Sequence, residues 1–163
     1  MKKIAAIAIL IGTLPASVFA QSAASVQSAS ITLSSAQTQS LKGSPVTLVA
    51  APGAGNCLSV LSAVLQYKAG SAPYAVSGGG HFSLLFGSAP GASGPVESSD
   101  LSATGFIDQA QNQIRIPRLS AMANAQSGVE NAALAISNDG DAEWSAGNGT
   151  VTITVYYTVV ALQ

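Results

Sequence analysis

Val151-Thr152-Ile153-Thr154-Val155-Tyr156-Tyr157-Thr158-Val159, close to the end of the chain, alternates with a period of two. It consists entirely of β-branched and aromatic residues, the types that fit a pleated, half-buried surface. The alternation places Val151, Ile153, Val155, Tyr157 and Val159 on one side, and Thr152, Thr154 and Thr158 on the other. This is the clearest strand in the chain, and the rest of the sequence is read outward from it.

Upstream lies a polar loop at 138–149, then a strand at 132–137. Ile114-Arg115-Ile116-Pro117-Arg118-Leu119 reads as a further strand, which Pro117 pushes to a sheet edge or a bulge because it lacks an N–H. Residues 101–107 hold a short helical turn and 87–99 a Gly/Pro/Ser loop. Residues 81–86 set Phe82, Leu84 and Phe86 on one face and His81, Ser83 and Leu85 on the other. A glycine-rich loop at 70–80 ends in Gly78-Gly79-Gly80. The longest β-like run is 57–69, with Leu61, Ala63, Leu65 and Tyr67 on one face and an imperfect alternation before them. Pro45 starts a strand at 46–50, and Ala51-Pro52-Gly53-Ala54-Gly55 is a turn. Ser34 with Gln37 three residues later forms a capping box, opening one or two helical turns to Leu41 that Gly43 stops. Ile31-Thr32-Leu33 alternates like a short strand, and the Ser/Ala/Gln-rich stretch 21–30 reads as a flexible lead-in. About six to eight strands, Gly- and Pro-rich loops and no long amphipathic helix define an all-β chain. The expectation is a single β-sandwich or jelly-roll domain over 31–163, with one or two short helical turns. No internal repeat argues for a solenoid.

The first twenty residues have the order of a secretory signal peptide. Lys2 and Lys3 precede an apolar run over 4–14, and Val18-Phe19-Ala20 supplies a small-residue cleavage site before Gln21. That run is about half of what a membrane-spanning helix needs, so no membrane span is expected. The chain is therefore read as exported, to the periplasm or the extracellular medium of a bacterium. After the signal, Lys42, Lys68, Arg115 and Arg118 face seven acids, which leaves no basic stripe for nucleic acid and no polybasic patch for a membrane. Only 8% of the residues are charged, well below the usual quarter, and polarity comes from Ser, Thr, Gln and Asn. Cys57 is the single cysteine, so no intramolecular disulfide can form, and its apolar neighbours mark it as a small buried hydrophobe.

Catalytic equipment is sparse. His81 is the single histidine, which removes multi-histidine metal sites. A Cys57–His81 nucleophile pair has no supporting motif, and no G-x-S-x-G elbow accompanies His81 as a triad base. Gly78-Gly79-Gly80 lacks the Lys-Ser/Thr of a phosphate loop. Asp139, Asp141 and Glu143 space three carboxylates two apart, the hard oxygen donors a calcium site would use, although the full EF-hand pattern is missing. These three are the only metal candidates; the alternative is a solvated acidic loop. Trp144 is thin support for a glycan-cleaving pair and reads as a cap on the core edge or a residue packed against a partner. No cofactor is implied and no enzyme activity is expected.

Two terminal stretches carry a family resemblance. Ile31-Thr32-Leu33-Ser34-Ser35-Ala36-Gln37, with Ser44-Pro45-Val46-Thr47-Leu48-Val49-Ala50-Ala51-Pro52-Gly53-Ala54-Gly55, opens the domain. Asn131-Ala132-Ala133-Leu134-Ala135-Ile136-Ser137-Asn138 and Gly147-Asn148-Gly149-Thr150-Val151-Thr152-Ile153-Thr154-Val155-Tyr156-Tyr157 close it. Together they resemble small tailed-phage virion-associated β-sandwich proteins of the decoration or attachment type, here in an exported form. The resemblance implies a non-catalytic structural or surface-attachment subunit acting through protein–protein contacts, with a protein partner or self-assembly and association of like chains left open. Its motifs are turns and strands, and none transfers a catalytic residue. The expected contact surfaces are the loops at 70–80, 87–99 and 138–149. The alternatives are a carbohydrate- or ligand-binding module, calcium-assisted through the acidic loop, and a pilus-like subunit.

Overall fold

A computed structural model describes residues 25–77, 80–87, 95–96, 101–117 and 126–163. The signal segment, residues 21–24 of the lead-in, Gly78 and Gly79, most of the 87–99 loop and the 118–119 end of the expected strand lie outside the described residues.

The chain is all-β. Its strands are β1 (Gln27–Leu33), β2 (Val46–Val49), β3 (Asn56–Lys68), β4 (Tyr74–Ala75), β5 (Phe82–Phe86), β6 (Pro95–Val96), β7 (Gln113–Arg115), β8 (Leu134–Asn138), β9 (Ser145–Ala146) and β10 (Thr150–Ala161). Among the described residues two short helices, α1 (Ser35–Gln39) and α2 (Gln126–Val129), interrupt them. The first sheet has the order β1-β10-β3-β7 and the second β2-β8-β5-β6, while β4 and β9 pair separately. Setting that small pair aside, the first strand pairs with the last (β1–β10), the second with the next to last (β2–β8), and so inward through β3–β7 to β5–β6. A long hairpin rolled on itself gives this pairing, which is the jelly-roll arrangement of two Greek keys. All pairings in both main sheets are antiparallel.

The core lies between the sheets and follows the alternation. Val151, Ile153 and Val155 of β10 stand opposite Tyr67, Leu65 and Ala63 of β3, and all six are buried. In the second sheet Leu84 and Phe86 of β5 stand opposite Ile136 and Leu134 of β8, also buried. The other faces of β5 and β8 are covered too, since Ser83, Leu85, Ala135 and Ser137 are at most 5% exposed. Five rings form a buried row in which Tyr74, Tyr67, Phe106, Phe82 and Trp144 contact in sequence, with centroids 6.2, 6.0, 5.9 and 4.6 Å apart. Large edge-on and tilted ring pairs of this kind dominate core energetics. Trp144 is 1% exposed and belongs to the core itself.

Three sequence expectations need correction. Residues 27–30, expected to belong to the flexible lead-in, are strand. Ala29 and Ile31 pack inward opposite Val155 and Ile153, and Ser30 exchanges a 2.9 Å hydroxyl bond with Thr154. Small residues suffice on an edge strand that has one neighbour to fit. The sandwich therefore begins at Gln27, not at Ile31. Leu61 does not share the inner face of Ala63, Leu65 and Tyr67. The β3–β10 register shifts between Tyr156 and Tyr157, where Ser62 and Val60 are the partners, so Leu61 is the extra residue of a β-bulge and is 51% exposed. The bulge resets the alternation, and Leu58 and Val60 return to the core side. Of the strand expected at 114–119, the described residues place Gln113–Arg115 in β7 and leave Ile116 and Pro117 outside it, and β7 does lie at a sheet edge as Pro117 requires. The capping box is present as read: Ser34 Oγ accepts from the Gln37 amide, and the Gln37 side chain accepts from the Ser34 amide.

Candidate functional site

The acidic loop leaves the end of β8 and is braced from within. Buried Asn138 accepts a 2.8 Å hydrogen bond from the Gly140 amide and donates through Nδ2 to the Ala142 carbonyl at 2.9 Å. Lys42 Nζ donates to the Gly140 carbonyl. Glu143 accepts from the amides of Lys42 and Gly43, at 3.0 and 2.7 Å, and so ties the loop to the chain that follows α1. Asp139 accepts from the His81 amide at 2.7 Å and faces His81 Nδ1 at 3.1 Å, which ties it to the start of β5. Asp141 is exposed. Asp139 and Glu143 thus serve different segments. Among the described residues no three His, Cys, Asp or Glu side chains are grouped to hold a metal ion.

His81 with Asp139 is a half-exposed imidazole whose Nδ1 is oriented by a carboxylate, the supporting half of a general base. The sequence did not suggest this pair, because the residues lie far apart along the chain and meet only through the β5–β8 pairing. A nucleophile is also required, and among the described residues no hydroxyl or thiol hydrogen-bonds the ring. Cys57 does not supply one: it sits on β3 of the first sheet opposite Val160, half-buried, and not on a strand neighbouring His81.

The outward face of the first sheet is a different kind of surface. Thr32 and Thr152 exchange a 2.8 Å hydroxyl bond, and Ser30 and Thr154 repeat it one step along. Beside them a shallow groove of about 650 Å³ is lined by Gln66, Lys68, Thr150 and Thr152, among others, with Asn112 and Ile114 at its β7 side. Further along the same strands exposed apolar side chains stand among Ser28, Ser59, Ser62 and Thr158. The bulge lifts Leu61 outward, and Tyr156 and Val160 are 41% and 39% exposed. Ile114 and Ile116, on β7 and just after it, are 59% and 68% exposed, and Val26 just before β1 is 63% exposed. Among the described residues these six are the large apolar side chains left exposed, and each lies on the first sheet or one residue from its strands.

Buried tyrosines flank this sheet's inner face. Burial raises the hydroxyl pKa of both Tyr67 and Tyr74 above the ordinary phenol value. Tyr74 also donates a 2.7 Å hydrogen bond to the Gly149 carbonyl.

No family model matches the chain, and no curated protein matches it. Two solved structures are similar. A chain of the cyanophage Pam1 capsid asymmetric unit is 16% identical with a TM-score of 0.40, and the alignment covers 96% of this chain and 93% of that one. A chain of mud crab tombus-like virus is 6% identical with a TM-score of 0.25, covering 100% of this chain and 94% of that one.

Proposed function

We propose that the chain is a non-catalytic structural subunit that works through protein–protein contact, and that the first sheet carries the contact surface. One observation supports this above others: every large exposed apolar side chain among the described residues lies on or beside that sheet. Apolar side chains gathered on one face of a soluble protein mark interaction sites, whereas singly scattered ones carry no such meaning. The low content of charge fits the same use, since the cores of protein interfaces are depleted in charged residues. Export as a surface-attachment component, of the kind the terminal motifs resemble, is supported by Lys2, Lys3, the apolar run and Val18-Phe19-Ala20.

The test is cross-linking of the tagged chain in the cells that make it. Cross-linked positions should fall on the first sheet, and a Leu61→Ser/Tyr156→Ser double variant should fold normally yet lose those contacts. Unchanged assembly in the double variant would remove the support. A second reading, a glycan-binding module, draws on the groove of hydroxyls and amides beside Lys68. Its lining lacks an exposed ring on which a sugar could stack, as Tyr67 is buried. Glycan-array binding that a Gln66→Ala/Lys68→Ala variant abolishes would favour it. In the pilus-like alternative a neighbour donates a strand; here β1 of the same chain occupies the place beside β10.

A further inference from the structure

Among the described residues each of the two main sheets has two edge strands, and three of these four carry protection against a foreign strand. β7 has three residues, contains Arg115 and is followed closely by Pro117. β6 has two residues and begins with Pro95. β2 has four residues and follows Pro45 directly. Short length, charge and proline are the usual means of blunting an edge. β1 has none of them: it runs seven residues, Gln-Ser-Ala-Ser-Ile-Thr-Leu, with neither charge nor proline, and among the described residues its backbone pairs on one side only, with β10.

We propose that the free edge of β1 is a self-pairing site, where a second copy of the chain lays its own β1 antiparallel about a two-fold axis at Ser30. This rests on the structural-subunit reading and names a partner for it. The sequence of β1 is complementary to itself about that residue. Ser30 meets Ser30 of the other copy, Ser28 meets Thr32, and Ala29 meets Ile31. On the outward face the pairing extends the hydroxyl rows already formed by Ser30 with Thr154 and Thr32 with Thr152. On the inward face it sets a small residue opposite a large one, covering Ile31, which β10 alone leaves half-buried. About a two-fold axis the residue on the axis meets its own copy, so a charge there would oppose itself; Ser30 is uncharged and brings no like charges together. The two first sheets would join into one sheet of eight strands. A seven-residue edge falls short of the roughly 1,600 Å² typical of stable interfaces, so association is expected at micromolar concentrations or above.

Sedimentation equilibrium of the purified chain should show its mass rising from monomer to dimer with concentration. Ser30→Lys and Ser30→Glu should each weaken association by about tenfold or more, through like charges facing at the axis. An equimolar mixture of the two should regain the dimer, which no loss of structural integrity could mimic. If either charged variant fails to fold, Ser30→Cys in a Cys57→Ser background replaces it, and mild oxidation should yield a disulfide-linked dimer. A wild-type chain that stays monomeric at its highest soluble concentration overturns the proposal. So does a dimer indifferent to charge at position 30, a mixture that fails to reassociate, or an Ser30→Cys variant that does not cross-link. None of these results touches the contact face at Leu61 and Tyr156, whose own double variant tests it separately.

Discussion

Gly147→Ala is the perturbation with the most decisive expected outcome. Gly147 follows β9 with a φ of 71°, in the left-handed region that an L side chain enters only under strain. Strain of that kind costs about 1–2 kcal/mol for alanine. The added methyl would also lie 2.5 Å from Tyr74 Cδ1 and 2.8 Å from Cδ2, well inside van der Waals contact. Tyr74 cannot swing aside cheaply. Its ring is 2% exposed and packs edge-on to Tyr67, and its hydroxyl is bonded to the Gly149 carbonyl. Overpacking of a rigid site adds roughly 1–3 kcal/mol. The two contributions together give about 2–5 kcal/mol, a large fraction of the 5–15 kcal/mol that keeps a domain folded.

Gly55→Ala is the matched control. Gly55 has a φ of 73°, and a methyl there meets nothing within 4 Å, so only the backbone strain remains. Urea unfolding followed by the fluorescence of buried Trp144 should place Gly147→Ala at least about 1 kcal/mol below Gly55→Ala, the low end of the overpacking cost. Equal midpoints and slopes for the two variants would refute the claim that Tyr74 is immobilised by its neighbours.

Three further outcomes are expected. Phe82→Ala, which removes a ring packed on both Phe106 and Trp144, should cost about 3–5 kcal/mol in the same unfolding assay, and a loss under 1 kcal/mol would contradict the contacts. Asp108 is pushed up by burial, but its bonds with the Gln109 side chain and nearby amides outweigh this and hold it below the ordinary carboxylate range. Its contribution is therefore present above the unfolded pKa near 4 and lost as the pH falls through the folded value, so Asp108→Asn should flatten the acid limb of the stability profile; an unaltered limb counts against it. Tyr67 and Tyr74 are raised by burial, so the neutral hydroxyls favour the folded chain. Stability should be full below about pH 10 and decline above it, with the late-titrating phenols ionising as circular dichroism reports unfolding; ionisation of every tyrosine without loss of fold would contradict the burial.

Much of the fold was legible because a strand writes its burial into a period of two. β10 and the capped helix α1 were readable residue by residue, and Pro117 correctly marked an edge. What escaped had non-local causes. The bulge at Leu61 is decided by how β3 meets β10, and from β3 alone it registers only as a flaw in the alternation. Residues 27–30 looked disordered by composition, yet an edge strand needs few large side chains when its single neighbour supplies Val155 and Ile153. The His81–Asp139 pair was equally invisible, since Asp139 read as one of three calcium donors until the β5–β8 pairing brought it to the imidazole.

The contact surface proposed here differs from the loops read in the sequence. Loops were favoured because they punctuate the sequence, but the 138–149 loop spends Asn138, Asp139, Glu143 and Trp144 on holding itself to the sandwich. The first sheet looked like ordinary core, because alternation reports that one face is buried and is silent on what the other face meets. Leu61, Tyr156, Val160 and Ile114 are apolar residues on that second face, at positions where Thr, Ser and Gln elsewhere keep the sheet compatible with water. The polar end of the face shows that the sheet tolerates hydroxyls without losing its pairing. The exposed apolar side chains on this face therefore do nothing that the strand pairing itself requires, and the proposed contact with another chain is the use for them that fits both their position and their exposure.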